Sequence, residues 1–246
     1  MNKPYPWGRC FQALATLSLG LQLQAQTGAT TSATAQPPEA DVKPGVNAEF
    51  LKPHVDVAQW TERFEHEGRE IYDQRERIVA AAKVKPGEQI ADIGAGTGLF
   101  TMLFAERVGP TGKVFAVDIV KDFLSHIAER ATAAGLKNIQ PVRGTERSTE
   151  LAPSSISLAF ICDTYHHFEY PQHTLASIHQ ALKPGGELVL VDFKRIPGKT
   201  SEWTLNHVRA GQEVFSAEIE AAGFKQIEQL DFLKDNYIVR FRKTGP

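Results

Sequence analysis

Three of the chain's eight histidines fall within twelve residues, Cys162 to His173, which read CDTYHHFEYPQH. Imidazoles change charge near neutral pH, so His166 and His167, with Asp163 and Tyr165 beside them, are candidates to take or hold a proton during catalysis. The alternative is a bracing role in which an imidazole ties the loop or closes a pocket wall. His166, His167, His173, Asp163 and Glu169 are also possible metal ligands. Adjacent histidines usually point in different directions, however, and the segment lacks the H-x-x-x-H or H-E-x-x-H spacing of a helical metal site, so no metal is expected. Cys162, inside an apolar run, reads as a small buried hydrophobe.

A second constellation lies upstream in EQIADIGAGTGLFT, Glu88 to Thr101. Asp92 is followed by Gly94, Gly96 and Gly98 as D-x-G-x-G-x-G. A dinucleotide fingerprint, G-x-G-x-x-G, would need its third glycine where Leu99 stands. A phosphate-cradling loop would need G-x-x-x-x-G-K followed by Ser or Thr, and that lysine is absent. The ligand of this bare backbone is therefore expected to lack phosphates.

The elements that carry these residues alternate regularly. QIADIG, GKVFAVDI (Gly112 to Ile119), NIQPVRG, SISLAFICD (Ser155 to Asp163) and KPGGELVLVDF (Lys183 to Phe193) read as strands, with helices over Leu99 to Val108, Lys121 to Ala134 and His173 to Leu182 between them. Ala217 to Ala222 reads as helix, and FKQIEQLDFL with YIVRFRK as two final strands joined at Asp235-Asn236. The expected fold is α/β: a Rossmann-like, doubly wound, seven-stranded sheet, mostly parallel, with an antiparallel strand near the C-terminus and helices on both faces. Ligands of such sheets bind at the carboxyl ends of the strands. Both constellations end strands, so both belong to that edge.

Val55 to Ala82 reads as one or two amphipathic helices with a break at Gly68. Before it, Lys3 and Arg9 precede the apolar run Cys10 to Leu23, and Ala25 offers a small residue for cleavage, the pattern of a secretory signal peptide. The run is too short and too interrupted for a spanning helix of ~20 apolar residues, so no stable membrane insertion is expected after leader removal. Thr27 to Gly45 reads as a disordered linker, giving domains of 1–25 leader, 26–45 linker, 46–84 helical segment and 85–246 α/β domain. Cleavage after Ala25 would leave Cys162 alone and no internal disulfide. The chain is then periplasmic or secreted if the leader works, and cytoplasmic otherwise. Net charge is −2 with Lys and Arg scattered, which excludes the basic footprint of a nucleic-acid binder.

From roughly Glu62 to Arg242 the chain resembles the class I S-adenosylmethionine-dependent methyltransferases. ADIGAGTG resembles the family's first motif and AVDI its second, with Asp118 twenty residues beyond Gly98; CDTYHH and LKPGGELVLVD complete the likeness. The resemblance implies S-adenosyl-L-methionine as cofactor, with Gly94, Ala95, Gly96, Thr97 and Gly98 against its amino-acid end and Asp118, followed by Ile119, on the ribose hydroxyls. Asp92 either meets the cofactor's ammonium or braces the glycine loop. Gly144, Thr145 and Glu146 are the adenine-side candidates, and Asp163 lies where cofactor and chemistry meet.

The same likeness puts His166, His167, Asp163 and Tyr165 at the methyl-transfer site. It makes residues 46–84 a lid in which Trp60, Phe64, Arg69 and Tyr72 face the ligands, against the alternative of a helix packed on the sheet. His207, Arg209 and Glu213 are substrate-side candidates. The chain departs from arsenic-type methyltransferases, which use several cysteines. The implied reaction is in-line methyl transfer to a small-molecule acceptor, with the acceptor atom and oligomeric state unread. Two rivals stand beside it: an exported S-adenosylmethionine-binding protein without turnover, and a nicotinamide-dependent oxidoreductase, which Leu99 disfavours.

Overall fold

Strand β1 (Gln89–Ile93) opens the sheet as a nearly continuous apolar run, as expected of a parallel strand covered on both faces. It pairs in parallel with β2 (Lys113–Asp118) on one side and β4 (Ile156–Cys162) on the other. With β3 (Ile139–Arg143), β5 (Leu182–Phe193), β6 (Phe224–Leu230) and β7 (Asn236–Lys243), the described residues form a sheet of order β3-β2-β1-β4-β5-β7-β6. Strand β7 is antiparallel to both neighbours and wedged between β5 and β6, which makes the sheet mixed as expected. This is a computed structural model, and it describes residues 42–245.

Alternation along the strands sends side chains to two cores. Ala159 and Ile161 of β4 face α6 (Pro171–Ala181) and α8 (Gln212–Ala221), where Leu175, Ile178, Phe215 and Ile219 are buried. Leu158 and Phe160 face the other way, onto α3 (Arg75–Ala81) and α4 (Leu99–Val108). There Phe160 meets Phe100 and Phe104 with ring centroids 4.9 and 4.8 Å apart, a packed trio that anchors the start of α4. Helix α5 (Lys121–Ala133) presses Ile127 into the glycine turn.

Most element boundaries fall within a few residues of those read from the sequence, with three differences. The segment before the sheet is three helices, α1 (Val57–Phe64), α2 (Glu70–Asp73) and α3, with Gly68 at φ +92° breaking the first from the second. Helix α8 starts at Gln212 rather than Ala217, and α7 (Glu202–His207) was not anticipated. Its six residues are too few to show periodicity, and only Ser201, which accepts from Thr204 N as N-cap, signals it. The linker reading is also corrected at its end: Val42 N donates to Glu169 O at 3.0 Å and Lys43 Nζ to Asn206 O at 3.2 Å, so the chain is docked before residue 46. The leader and residues 26–41 of the linker lie outside the described residues. Among the described residues no helix is long and apolar enough to cross a membrane.

Candidate active site

Five parallel strands end on one cavity of about 720 Å³, a size suited to a small-molecule ligand. Asp92 and Ile93 of β1, Asp118 of β2, Gly144 after β3, Asp163 after β4 and Phe193 of β5 all line it. The strand order reverses between β1 and β4, which opens the crevice there.

The glycine turn leaves β1 steeply. Gly94 and Ala95 both donate to Val117 O, at 2.8 and 3.1 Å, and a Cβ on Gly94 would stand 2.1 Å from Thr164 Cγ2. Gly96, at φ +54°, is different: a Cβ there would meet Phe64 and the Gly94 carbonyl at 3.7–4.0 Å, ordinary contact distance, so its missing side chain leaves room on the cavity side. Gly98 does not line the cavity. It sits at φ +90° as the N-cap of α4, and a Cβ would strike Ile127 at 2.7 Å, so this glycine serves packing rather than direct ligand contact.

Asp118 closes the turn. Its Oδ2 accepts from Gly96 N at 2.8 Å and its Oδ1 from Val120 N at 2.7 Å. A carboxylate has further lone pairs to offer, and the cavity wall beside it runs on through Ile119, Gly144, Thr145 and Glu146. Burial raises Asp118 to about 6, against the pull of those backbone amides. Asp92, also on the cavity, is raised to about 7 by burial while its Oδ2 accepts from Thr101 Oγ1 at 2.6 Å. It therefore braces the first turn of α4 and presents its remaining face to the cavity. An open glycine backbone, an acid at the end of β2 and a long pocket without a phosphate-type lysine fit S-adenosylmethionine.

The helical segment contributes to the cavity wall. Trp60, Phe64 and Arg69 line it, whereas Tyr72 does not and instead lies under the Arg75 guanidinium at 4.2 Å. Two ion pairs fasten this segment. Glu65 Oε1 accepts from Thr97 Oγ1 and from Arg130 Nη1, each at 2.6 Å, tying the end of α1 to the glycine turn and α5. Arg69 Nη2 reaches Asp163 Oδ2 at 2.6 Å, and Asn236 Nδ2 donates to Asp163 Oδ1 at 2.6 Å. Burial lifts Asp163 to about 6 despite Arg69.

Past Asp163, which takes φ +47°, the chain turns through a short 3-10 segment, Tyr165–His167. Tyr165 points away from the cavity, fully buried against Phe168 and Phe215, with its hydroxyl donating to Glu218 Oε2 at 2.8 Å. Its catalytic candidacy is corrected: the turn carries Tyr165 into the core, away from the cavity that His166 and His167 line. Arg209 is likewise engaged by Glu218 at 2.6 Å, and neither it nor Glu213 lines the cavity.

The adjacent histidines do not diverge as expected. The rings of His166 and His167 lie 4.5 Å apart, and α7 brings His207 to 5.1 and 5.0 Å from them. His166 Nδ1 is paired with Asp192 Oδ1 at 2.8 Å, and His167 Nδ1 with Asn47 Oδ1 at 3.2 Å. Burial lowers His167 to about 2 and His207 to about 4, with neighbouring imidazoles adding to the effect. Both are neutral at pH 7 and poor proton acceptors. They can orient or coordinate a ligand atom, but they are not poised as general bases.

Phe50, Trp60, Phe193 and Trp203 wall this end of the cavity, Trp203 stacked on His207 at 4.6 Å. Asn47, Phe50, Glu65, Arg130, Asp192 and Trp203 were not singled out from the sequence. Only Asp192 carried a signal there, an acid at the end of an apolar strand like Asp92.

A protein-family model described as a methyltransferase domain matches residues 90–186. That span with its surrounding strands has the class I S-adenosylmethionine-dependent methyltransferase fold. A methyltransferase of that cofactor class from Aquifex aeolicus superposes with a TM-score of 0.69 at 21% identity, covering 78% of this chain and all of its own. The [4+2]-cyclase SpnF superposes with a TM-score of 0.65 at 15% identity, covering 84% of this chain and 97% of its own.

Among curated proteins, the ubiquinone/menaquinone biosynthesis C-methyltransferase UbiE of Bordetella parapertussis is 34% identical over 122 residues, 48% of this chain and 45% of that protein. A demethylmenaquinone methyltransferase of Listeria monocytogenes is 26% identical over 50% of this chain and 53% of its own. The chain thus spans about half the length of the curated relatives it matches.

Proposed function

We propose that this chain binds S-adenosylmethionine and transfers its methyl group to a small-molecule acceptor. The observation that carries the reading is continuity: the glycine turn with Asp118 and the chamber of aromatic rings and histidines are two ends of one cavity. Bound S-adenosylmethionine supplies an electrophilic methyl group, so the protein has chiefly to align the acceptor and exclude water, and alignment alone contributes up to ~7–11 kcal/mol. Gly94 to Thr97 and Asp118 hold the cofactor end. Phe64, whose ring edge lies beside Gly96 and whose ring carries the Arg69 guanidinium 5.4 Å from its centroid, walls the glycine turn. Phe50, Trp60, Phe193 and Trp203 shape the other end for a planar, apolar-bodied acceptor. The two relatives, named for ubiquinone/menaquinone biosynthesis and for demethylmenaquinone, support that acceptor class.

The test is release of S-adenosylhomocysteine from the full chain incubated with S-adenosylmethionine and a panel of phenols, quinols and aromatic amines. Acceptor-dependent release that vanishes in Asp118→Ala supports the proposal. Tight cofactor binding with no release for any acceptor would favour a binding protein without turnover. The leader read at residues 1–25 supports a separate proposal, export of the chain. Fractionation finding only unprocessed chain in the cytoplasm would sink it.

A further inference from the structure

We propose that His166, His167 and His207 form a three-histidine site for a divalent transition-metal ion of the zinc type, at the acceptor end of the cavity. Each offers one imidazole nitrogen, and the three nitrogens lie within 4.8 Å of one another. The closest pair, His167 Nε2 and His207 Nε2, is 3.2 Å apart. Two ligand nitrogens at ~2.0–2.1 Å from a tetrahedral ion stand about 3.3 Å apart, so this pair already has ligand spacing.

The outer partners make the same case. The amide of Asn47 is oriented by its Nδ2 donating to His167 O at 3.0 Å, so the group facing His167 Nδ1 at 3.2 Å is an oxygen. The proton of that ring is therefore on Nδ1, and the Nε2 lone pair faces His207. His166 Nδ1 is held by the Asp192 carboxylate at 2.8 Å, which commits its Nε2 to the cluster. Histidines that bind metal are oriented in this way, with the second nitrogen donating to a carboxylate or carbonyl oxygen. A hydrogen bond between His167 and His207 needs one proton and two rings. It gives no reason for a third imidazole carried in on a separate helix, or for two outer-shell oxygens.

Asp192 supplies negative charge behind the site, and an all-imidazole set selects zinc, cobalt, nickel or copper over magnesium and calcium. Three protein ligands leave a fourth position. All three histidines line the cavity, so that position faces the chamber and takes water or an oxygen, nitrogen or sulfur of the acceptor. The acceptor role of the fourth position rests on the methyltransferase reading; the metal site does not.

The experiment titrates full-length, chelator-stripped protein with Co²⁺, following visible ligand-field bands and stoichiometry, then adds Zn²⁺. Calorimetry with S-adenosylhomocysteine is run on the same samples. The expected result is one Co²⁺ per chain, displaced by Zn²⁺. Affinity should fall at least about tenfold in His207→Gln and also in Asp192→Asn, which touches no ion. His173→Gln, outside the cluster, should bind as the parent does, and circular dichroism confirms that each variant is folded. Absent bands, or bands indifferent to folded His207→Gln, overturn the metal site. If S-adenosylhomocysteine still binds in that case, the methyltransferase reading stands alone. A Co²⁺ site in protein that binds no S-adenosylhomocysteine upholds the metal and removes the acceptor role.

Discussion

Asp92 is the residue whose chemistry burial alters most usefully for a test. Its carboxyl titrates at about 7 in the folded chain, well above its ordinary value, so the folded state holds a proton that the unfolded state releases. That proton stabilises the fold at pH 4, and the contribution is lost as pH rises through 7. Asp92→Asn removes the dependence. Denaturant unfolding of the ligand-free protein should show the variant gaining on the parent between pH 5 and pH 8, by an upper bound of ~3 kcal/mol. A difference that stays flat with pH contradicts a neutral buried Asp92. Tyr165→Phe separates core from site: it should cost about 1 kcal/mol through the lost bond to Glu218 and leave turnover within roughly twofold. A large loss of kcat at unchanged stability would restore Tyr165 to the chemistry.

At the scale of elements, α1 is attached to the glycine turn through Glu65, Thr97 and Arg130. Glu65→Ala leaves Arg130 and Thr97 without that acceptor. Arg130 is partly exposed, so the penalty is discounted to about 1–2 kcal/mol, and S-adenosylhomocysteine affinity should weaken roughly tenfold with faster proteolysis near α1. Unchanged affinity and protease resistance would show that α1 is a packed helix and not a cover. In the sheet, Phe160→Ala opens a cavity between Phe100 and Phe104 and should cost about 3–5 kcal/mol by denaturant unfolding. A cost near 1 kcal/mol would mean the trio does not anchor α4.

For the whole molecule, what could be read in the sequence follows from which interactions are local. The strands and α4 were legible because apolar runs, turn glycines and helical periodicity are encoded over a few neighbours. Gly94, Gly96 and Asp118 were legible as a site because a strand end fixes where its next residues go. Tyr165 was misassigned because the 3-10 turn sends it into the core while its neighbours His166 and His167 line the cavity, a split that no spacing rule reveals. Glu65, Arg130 and Asn47 were invisible because their partners lie 32 to 120 residues away along the chain, and Asp192 showed only as a strand-end acid, its partner His166 lying 26 residues back. His207 joined the histidine pair only through α7, a helix too short to declare itself.

All of these parts serve one cavity, and its cofactor end is the claim on which the rest depends. The most direct measurement is calorimetric titration of the full chain with S-adenosylmethionine, S-adenosylhomocysteine and NAD, beside Asp118→Ala. The account predicts micromolar binding of the first two, none of NAD, and at least about a tenfold loss in the variant, since Asp118 would be the charged acceptor for two ribose hydroxyls. Binding of NAD alone, or S-adenosylmethionine binding indifferent to Asp118→Ala, would contradict it.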